Sequence, residues 1–448
     1  MMFRSPFVYF TDPVLRAPTI GCMLMCLAAS IVGVLAFVRR RALLGEALSH
    51  ATYPGVILAA LFAALFFPHQ EEWVSPLILV GALGSSLVGL WIIDFMERRL
   101  KVNADAALCF VLSAFFSIGL TIASRMQFTY PSYYKKALVY LYGQAATMTD
   151  YHIVVYGVLV LVVVATVTVF YREFQISSFD KDYAKSVGVP TRVIDLLSFV
   201  LVAGAVVIGI RSVGIVLMSG MLIAPAATAR QYTHRLHVMM ALAAVFGIVS
   251  GFLGNYLSTE LSRYLASELS SRRLALPTGP SIVLVASFIC VFSLFFSPER
   301  GLVLRWWRVM RFRRRCLQEN IMKAIWRLGR ESVVSAQELS KGQNIKRFRL
   351  FFLLGSLVRH GWLSSVGSGN YKLTPDGYQW AARIVRLHRL WEVYLVEYVG
   401  VGIERVHRNA EEMEHIITPE LEAQLIELLD DPKRDPHDQP IPSKGEVF

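Results

Sequence analysis

Near the C-terminal end of the chain, His407, Glu411, Glu414 and His415 fall at i, i+4, i+7 and i+8. At 3.6 residues per turn, two imidazoles and two carboxylates share one helical stripe. His388 and Glu392 repeat the i, i+4 pairing upstream. These are the donor types that bind a borderline divalent metal such as iron, manganese or zinc. One such residue alone reads as part of a solvated Glu/His face; six in two helical groups point to a metal site. A further pair, Glu46 and His50, lies one turn apart inside an apolar run. Ionisable groups are expensive in lipid, so this pair is expected to face a protein-lined cavity. The bland alternative is a hydrogen-bonded polar pair at a helix end. Pro54-Gly55 predicts a helix break there, which frees backbone carbonyls toward a pore.

The elements that must position these groups divide the chain in two. Its 448 residues are 55% hydrophobic and 17% charged, with a net charge of +12. Long apolar runs end near residue 298, and a soluble composition follows. That length allows two or three domains. Candidate membrane spans are 17–38, 43–67, 74–96, 104–124, 152–171, 193–211, 213–229, 236–256 and 279–297, several interrupted by Gly or Pro. The first lacks a small-residue cleavage site and reads as a retained helix. Basic segments follow the first, third, fifth, seventh and last spans: Arg39-Arg40-Arg41, Arg98-Arg99 with Lys101, 172–192, 230–235 and 305–315. Nine spans put all of them on one side, the cytoplasm by the positive-inside rule, with the C-terminal region there too. Loops 124–151 and 257–278 read as partial helices at the opposite surface. Cys22, Cys26, Cys109, Cys290 and Cys316 read as packing residues without structural disulfides.

Residues 179–190 form a short amphipathic helix closed by Gly188 and Pro190, the kind of loop helix that docks on a cytoplasmic partner. Val213 to Ala229 is rich in small residues, which permit close helix packing. With Arg41-Ala42-Leu43-Leu44-Gly45-Glu46-Ala47-Leu48-Ser49-His50-Ala51, these stretches resemble the permease family of metal-type ABC importers over about residues 15–297. The resemblance implies that Glu46 and His50 lie on the metal path. The family usually has Asp where Glu46 stands, a change that lengthens the arm by one methylene. It also implies that the helix running from Asp180 through Ala184 to Gly188 couples to an ATPase. No G-x-x-x-x-G-K-[ST] sequence occurs, so the ATPase is expected to be a separate cytoplasmic subunit. An extracytoplasmic metal-binding protein and a second permease subunit, the same or different, are the other expected partners.

The soluble half begins at a joint carrying seven arginines between Pro298 and Cys316, with Trp306 and Trp307 suited to the membrane interface. The pattern then predicts helices over 318–329, from Ser335, and over 344–360, followed by a two-stranded wing over 363–373. Ser335 caps the second helix, with Glu338 three residues on. Helix–helix–helix–wing is a winged helix-turn-helix. Lys346, Arg347 and Arg349 open its third helix, where a recognition helix meets the phosphates and base edges of operator DNA. Between Glu299 and Ser364, fifteen Lys or Arg stand against four Asp or Glu, the footprint of a polyanion binder. Attraction to anionic membrane lipid is the alternative, and it leaves the wing unexplained.

Tyr371 to Gly377, Ala381 to Glu392, Val406 to His415 and Asp435 to Pro442 resemble the DtxR/MntR family of metal-dependent repressors, over about residues 317–443. The resemblance implies that His388, Glu392, His407, Glu411, Glu414 and His415 bind a co-repressor metal. It further implies that the surrounding helices form a homodimer, and that metal fixes the separation of its recognition helices. The family takes further ligands from its first helix, where this chain has Asn320 and Lys323. Asn320 offers an amide oxygen as a weak ligand; a protonated Lys323 offers none. Joined, the two halves resemble the fused permease–repressors of iron-type ABC importers.

The expected architecture is an all-α polytopic membrane domain of about eight or nine transmembrane helices (1–298) and an Arg-rich juxtamembrane linker (299–316). A cytoplasmic winged helix-turn-helix (317–375) and a helical metal-binding and dimerisation domain (376–448) follow. The expected function is twofold and not enzymatic: an inner-membrane permease subunit of an ATP-driven divalent metal importer, fused to a metal-dependent transcriptional repressor. As substrate and co-repressor, iron follows from the fusion resemblance and manganese from Glu411, with zinc third. Two alternatives stay open. One is a C-terminal regulator of transport without DNA binding; the other is release of the repressor as a soluble fragment near the joint.

Overall fold

The computed structural model describes residues 4–67, 71–268, 276–329, 332–342, 345–367, 369–402, 404, 406 and 413–443. It divides into two compact units, Met1–Leu304 and Arg305–Phe448.

In the first unit the apolar runs become helices, because a helix satisfies its own backbone groups where no water is present. They are α1 (Val8–Thr11), α2 (Pro13–Val38), α3 (Leu44–Phe66), α4 (Val74–Arg98), α5 (Ala104–Thr129), α6 (Pro131–Tyr142) and α7 (Asp150–Val169). Then come α8 (Tyr171–Phe179), α9 (Lys181–Ser186), α10 (Thr191–Val213), α11 (Ile215–Arg230), α12 (Leu236–Glu268) and α13 (Thr278–Phe296). Eight of these are long and apolar enough to cross a membrane: α2, α3, α4, α5, α7, α10, α12 and α13. The most apolar stretches of α2 and α3 are 72% buried, against 22% in α7 and α13. The first two are therefore central, while the others turn Leu161, Leu284 and Phe288 outward.

The expected ninth span is α11, which at 16 residues is shorter than these eight. Its ends nevertheless coincide with those of α13. The Val213 carbonyl before α11 lies 2.6 Å from where a Cβ on Gly279 would sit. After α13, Ser297 donates its hydroxyl to the Gln231 carbonyl. The short helix thus runs the length of its neighbour, and the chain changes side there. Helix α12 lies antiparallel to α2, with Asn255 donating to Thr19 at 2.8 Å and Gly247 beside the Cys26 carbonyl. Arg41 pairs with Glu97 and Arg39 with Asp195. These contacts gather the basic segments after α2, α4, α7, α11 and α13 on one face of the unit.

Helix α3 runs unbroken through Pro54-Gly55, contrary to the expected break. Proline removes one i→i−4 donor, and side chains supply donors to nearby carbonyls. Ser85 donates to Ala51 and Thr52 to Ser49, both at 2.6 Å. Gly55 meets Gly81 of α4 backbone to backbone; a Cβ on it would lie 2.0 Å from the Gly81 carbonyl.

Helix α14 (Leu302–Arg327) begins just before the second unit and forms its first element, so the arginine-rich stretch is helical and continues into the first helix of the winged fold. There follow β1 (Val334–Ser335), α15 (Ala336–Gly342), α16 (Arg347–Arg359), β2 (Leu363–Gly367), β3 (Asn370–Leu373), α17 (Pro375–Glu397) and α18 (Pro419–Leu428). The sheet is antiparallel in the order β1-β3-β2, one strand more than the expected wing. Ile321, Ile325, Leu350, Leu354, Leu357 and Leu373 fill the core beneath it. The capping box forms as expected: the Glu338 N–H donates to Ser335 Oγ at 3.2 Å, and the Ser335 N–H donates to the Glu338 carboxylate at 3.1 Å. Thr374 caps α17, accepting from the Gly377 N–H at 3.0 Å. A Cβ on Gly377 would sit 2.0 Å from the Trp362 carbonyl, so glycine lets α17 press against the edge of the wing.

Candidate functional site

Glu46 and His50 lie one turn apart on the central helix α3, both partly buried. The His50 ring meets Phe116 edge-on, with centroids 4.8 Å apart. Its Nδ1 is buried and has no hydrogen-bond partner among the described residues. A buried polar atom without a partner is costly, so the hydrogen-bonded pair of the bland alternative does not form through this nitrogen.

The loop helix is α9. The Asp180 carboxylate caps it, accepting from the Asp182 and Tyr183 N–H groups at 3.0 and 2.9 Å. Ala184 is buried beneath it, and Gly188 ends it at φ +82°. Phe179, Tyr183 and Val187 are exposed. Asp195 of α10 ties this element down, accepting from Arg39 at 2.7 Å and Lys181 at 3.1 Å.

In the second unit Ala381, Val385, His388 and Glu392 form a buried stripe of α17. His388 is 3% and Glu392 2% exposed, which excludes a solvated face. His388 Nε2 lies 3.2 Å from Glu392, and its Nδ1 lies 2.5 Å from Glu414. Lys323 of α14 donates to both Glu414 oxygens, at 2.7 and 3.0 Å. His415 Nδ1 meets Glu319 at 2.5 Å, and its Nε2 lies 3.5 Å from Glu414. Four of the six expected ligands thus converge; His407 and Glu411 lie outside the described residues.

Burial pulls the His388 pKa down, but Glu392 and Glu414 outweigh it and raise the imidazole above its ordinary value. Burial also opposes ionisation of Glu414, yet His388 and Lys323 hold its carboxyl below the usual range.

Helix α14 turns Glu319 and Lys323 toward this cluster, and Asn320 has no hydrogen bond to it among the described residues. At 100° per residue, Glu319 and Lys323 share a stripe from which Asn320 is rotated away. Reading the chain alone missed Glu319; an i, i+4 Glu/Lys pair beside Ile321, Met322 and Ile325 was the available signal. Arg389 was missed too. It pairs at 3.3 Å with Asp435, whose carboxylate also accepts from the His437 and Gln439 N–H groups.

The donor chemistry suits a borderline divalent cation; the described residues alone do not offer it an open site. Among the described residues no three His, Cys, Asp or Glu groups are disposed to hold a metal ion, and an ammonium sits on the Glu414 carboxylate. At the start of α16, Lys346, Arg347 and Arg349 are all exposed. So are Phe348, Phe351 and Phe352, at 78%, 69% and 53%.

Comparison with known proteins gives the same division. Residues 11–297 match the ABC 3 transport family, and residues 374–443 match the iron dependent repressor, metal binding and dimerisation domain. The chain is 34% identical to a probable metal transport system membrane protein of Chlamydia trachomatis, over 97% of each chain. It is 30% identical to the manganese transport system membrane protein MntC of Bacillus subtilis, over 88% of this chain and 87% of that one. Among solved structures it is similar to PsaBC from Streptococcus pneumoniae in complex with Fab, at 25% identity and a TM-score of 0.53, over 66% of this chain and 96% of that one. The chain belongs to the ABC 3 transport family, as a metal permease that carries an iron-dependent-repressor-type metal-binding and dimerisation domain toward its C-terminal end.

Proposed function

We propose that the first unit forms half of the membrane pathway of an ATP-driven importer, with a divalent metal ion as its substrate. The observation that carries this is the unpartnered Nδ1 of His50, one turn from Glu46 on the central helix. A carboxylate and an imidazole there replace part of the ion's hydration shell as it crosses. A second permease subunit supplies the facing wall. The face that gathers the basic segments is cytoplasmic by the positive-inside rule, and the C-terminal unit follows on that side. There α9, with Phe179, Tyr183 and Val187 outward, offers an apolar knob to a separate ATPase subunit. A metal-binding protein delivers the ion to the opposite face.

The second unit is, in this reading, a metal-responsive repressor that binds operator DNA as a homodimer through Lys346, Arg347 and Arg349. A bound metal would supply a charge that links α14, α17 and residues 413–415. Imidazole and carboxylate donors without a thiolate suit iron(II) or manganese(II). The fusion resemblance supports iron, and the name of the Bacillus relative supports manganese.

Uptake of radiolabelled iron, manganese and zinc by cells making the full chain tests the pathway. Glu46→Gln and His50→Ala are each expected to lower uptake by about tenfold or more, at least the loss seen when a metal ligand's supporting partner is removed. The amount of protein in the membrane should stay the same. Parental uptake in both variants overturns the assignment. A second reading, a regulator of transport without DNA binding, is favoured by Phe348, Phe351 and Phe352. Three exposed phenyl rings beside the basic residues suit a protein surface better than phosphates.

A further inference from the structure

The cluster around Glu414 already contains a cation. Helix α14 presents Glu319 and Lys323 one turn apart, and both reach residues 414 and 415: Glu319 meets His415 at 2.5 Å, and Lys323 holds Glu414 at 2.7 and 3.0 Å. Lys323 is 4% exposed and Glu414 3%. On its other side the same carboxylate meets His388 of α17. One buried carboxylate therefore joins the first helix of the winged fold, α17 and the 413–415 segment. A divalent ion on Glu414 and His388 would make the same junction. An ammonium is a compact point charge with three donors, and it carries out this linking with no metal. Two cations on one buried carboxylate repel strongly, because little water screens them.

We propose that Lys323 is a tethered cation that stands in for metal at Glu414. It closes the α14–Glu414–His388 junction in the metal-free protein, and an incoming divalent ion has to displace it. The inference rests on the reading of the second unit as a metal sensor. It makes position 323 the determinant of how much metal the sensor needs.

The test uses the full chain purified in detergent, with Glu46→Gln and His50→Ala present so that membrane binding does not contribute. Manganese(II) is the probe, followed by equilibrium dialysis and by amide hydrogen exchange across residues 413–418. Lys323→Leu, which loses the charge and adds no donor atom, is expected to bind manganese about tenfold more tightly, a coupling of ordinary size. In EDTA its 413–418 amides should exchange faster than in the parental chain, and manganese should restore their protection. Lys323→Arg should keep the parental affinity. Unchanged or weaker manganese binding by Lys323→Leu overturns the proposal. A parental measurement decides it even if that variant does not fold. With Lys323 present, the 413–418 amides should be about as protected in EDTA as in manganese, and strong extra protection by metal overturns the tether. Binding of manganese by neither chain overturns the sensor reading and the displacement step with it. The exchange rates in EDTA then still decide whether Lys323 closes the junction.

Discussion

Asp195→Asn tests whether one carboxylate holds the loop helix α9 to the spans. Asp195 accepts from Arg39 at 2.7 Å and from Lys181 at 3.1 Å, and Arg39 also donates to Ser178 of α8 at 3.2 Å. The Arg39 side chain is 6% exposed and that of Lys181 49%. Removing the carboxylate charge leaves the guanidinium buried without its counter-ion, a change that costs about 3–5 kcal/mol. Asparagine keeps the shape and one acceptor oxygen, which places the loss near the lower end, about 3 kcal/mol. The exposed Lys181 arm contributes at most about 1 kcal/mol. Asp195→Asn should therefore lower both uptake and the unfolding midpoint of the solubilised chain, while Lys181→Ala stays close to parental. The assay is initial-rate metal uptake normalised to membrane protein, alongside thermal unfolding. Adding Arg39→Met to Asp195→Asn should recover part of the lost stability, because it removes the orphaned charge. Equal losses in Lys181→Ala and Asp195→Asn refute the reasoning, as does a further loss on adding Arg39→Met.

Two predictions concern the second unit. Gly377→Ala places a Cβ 2.0 Å from the Trp362 carbonyl; overpacking of this kind costs about 1–3 kcal/mol and should lower that unit's unfolding midpoint. Changing Lys346, Arg347 and Arg349 together to Ala should weaken operator binding and flatten the slope of log K against log salt by about one for each phosphate no longer neutralised. An unchanged slope moves the DNA-binding surface elsewhere, and failure to find any specific site favours the transport-regulator reading.

What was legible in the sequence follows from which signals repeat. Apolar runs of membrane length announce spans whatever they pack against, and seven of the nine predicted ones begin and end within a few residues of helices. The membrane-crossing role of α11 is harder to read, because its 16 residues fall short by themselves. Only its alignment with α13 supplies the depth. The strand Val334–Ser335 is two residues long, too short for an alternating pattern, and exists because Tyr371 and Asn370 pair with it. Pro54 carries a strong local signal for a break, and tertiary packing against Gly81 overrides it. In the buried cluster around Glu414, the convergence of His388, Glu392, Glu414 and His415 was legible because their donor chemistry recurs at helical spacing. Glu319 was harder to read: its i, i+4 pairing with Lys323 beside apolar residues marks a buried helix face, but not which neighbour it meets across the fold. Lys323 was visible as a departure from a ligand set; that it fills the carboxylate instead is a fact of three dimensions.

In the proposed reading, the position of Lys323 bears on how an importer and a sensor are matched on one chain. If the second unit is a metal-responsive repressor, each copy of the permease brings one copy of it, so relative abundance cannot set the metal level at which repression would begin. Affinity must set it. Where a ligand binds only the form in which the carboxylate is open, its apparent dissociation constant is the intrinsic one divided by the open fraction. If Lys323 holds Glu414 about nine-tenths of the time, roughly 1.4 kcal/mol of bias, the threshold rises about tenfold. Arginine at 323 would keep that bias and leucine would remove it, and neither changes the imidazole and carboxylate donors. The threshold is then tuned by a residue of the first winged-fold helix, one turn from Glu319, and not by the donor set.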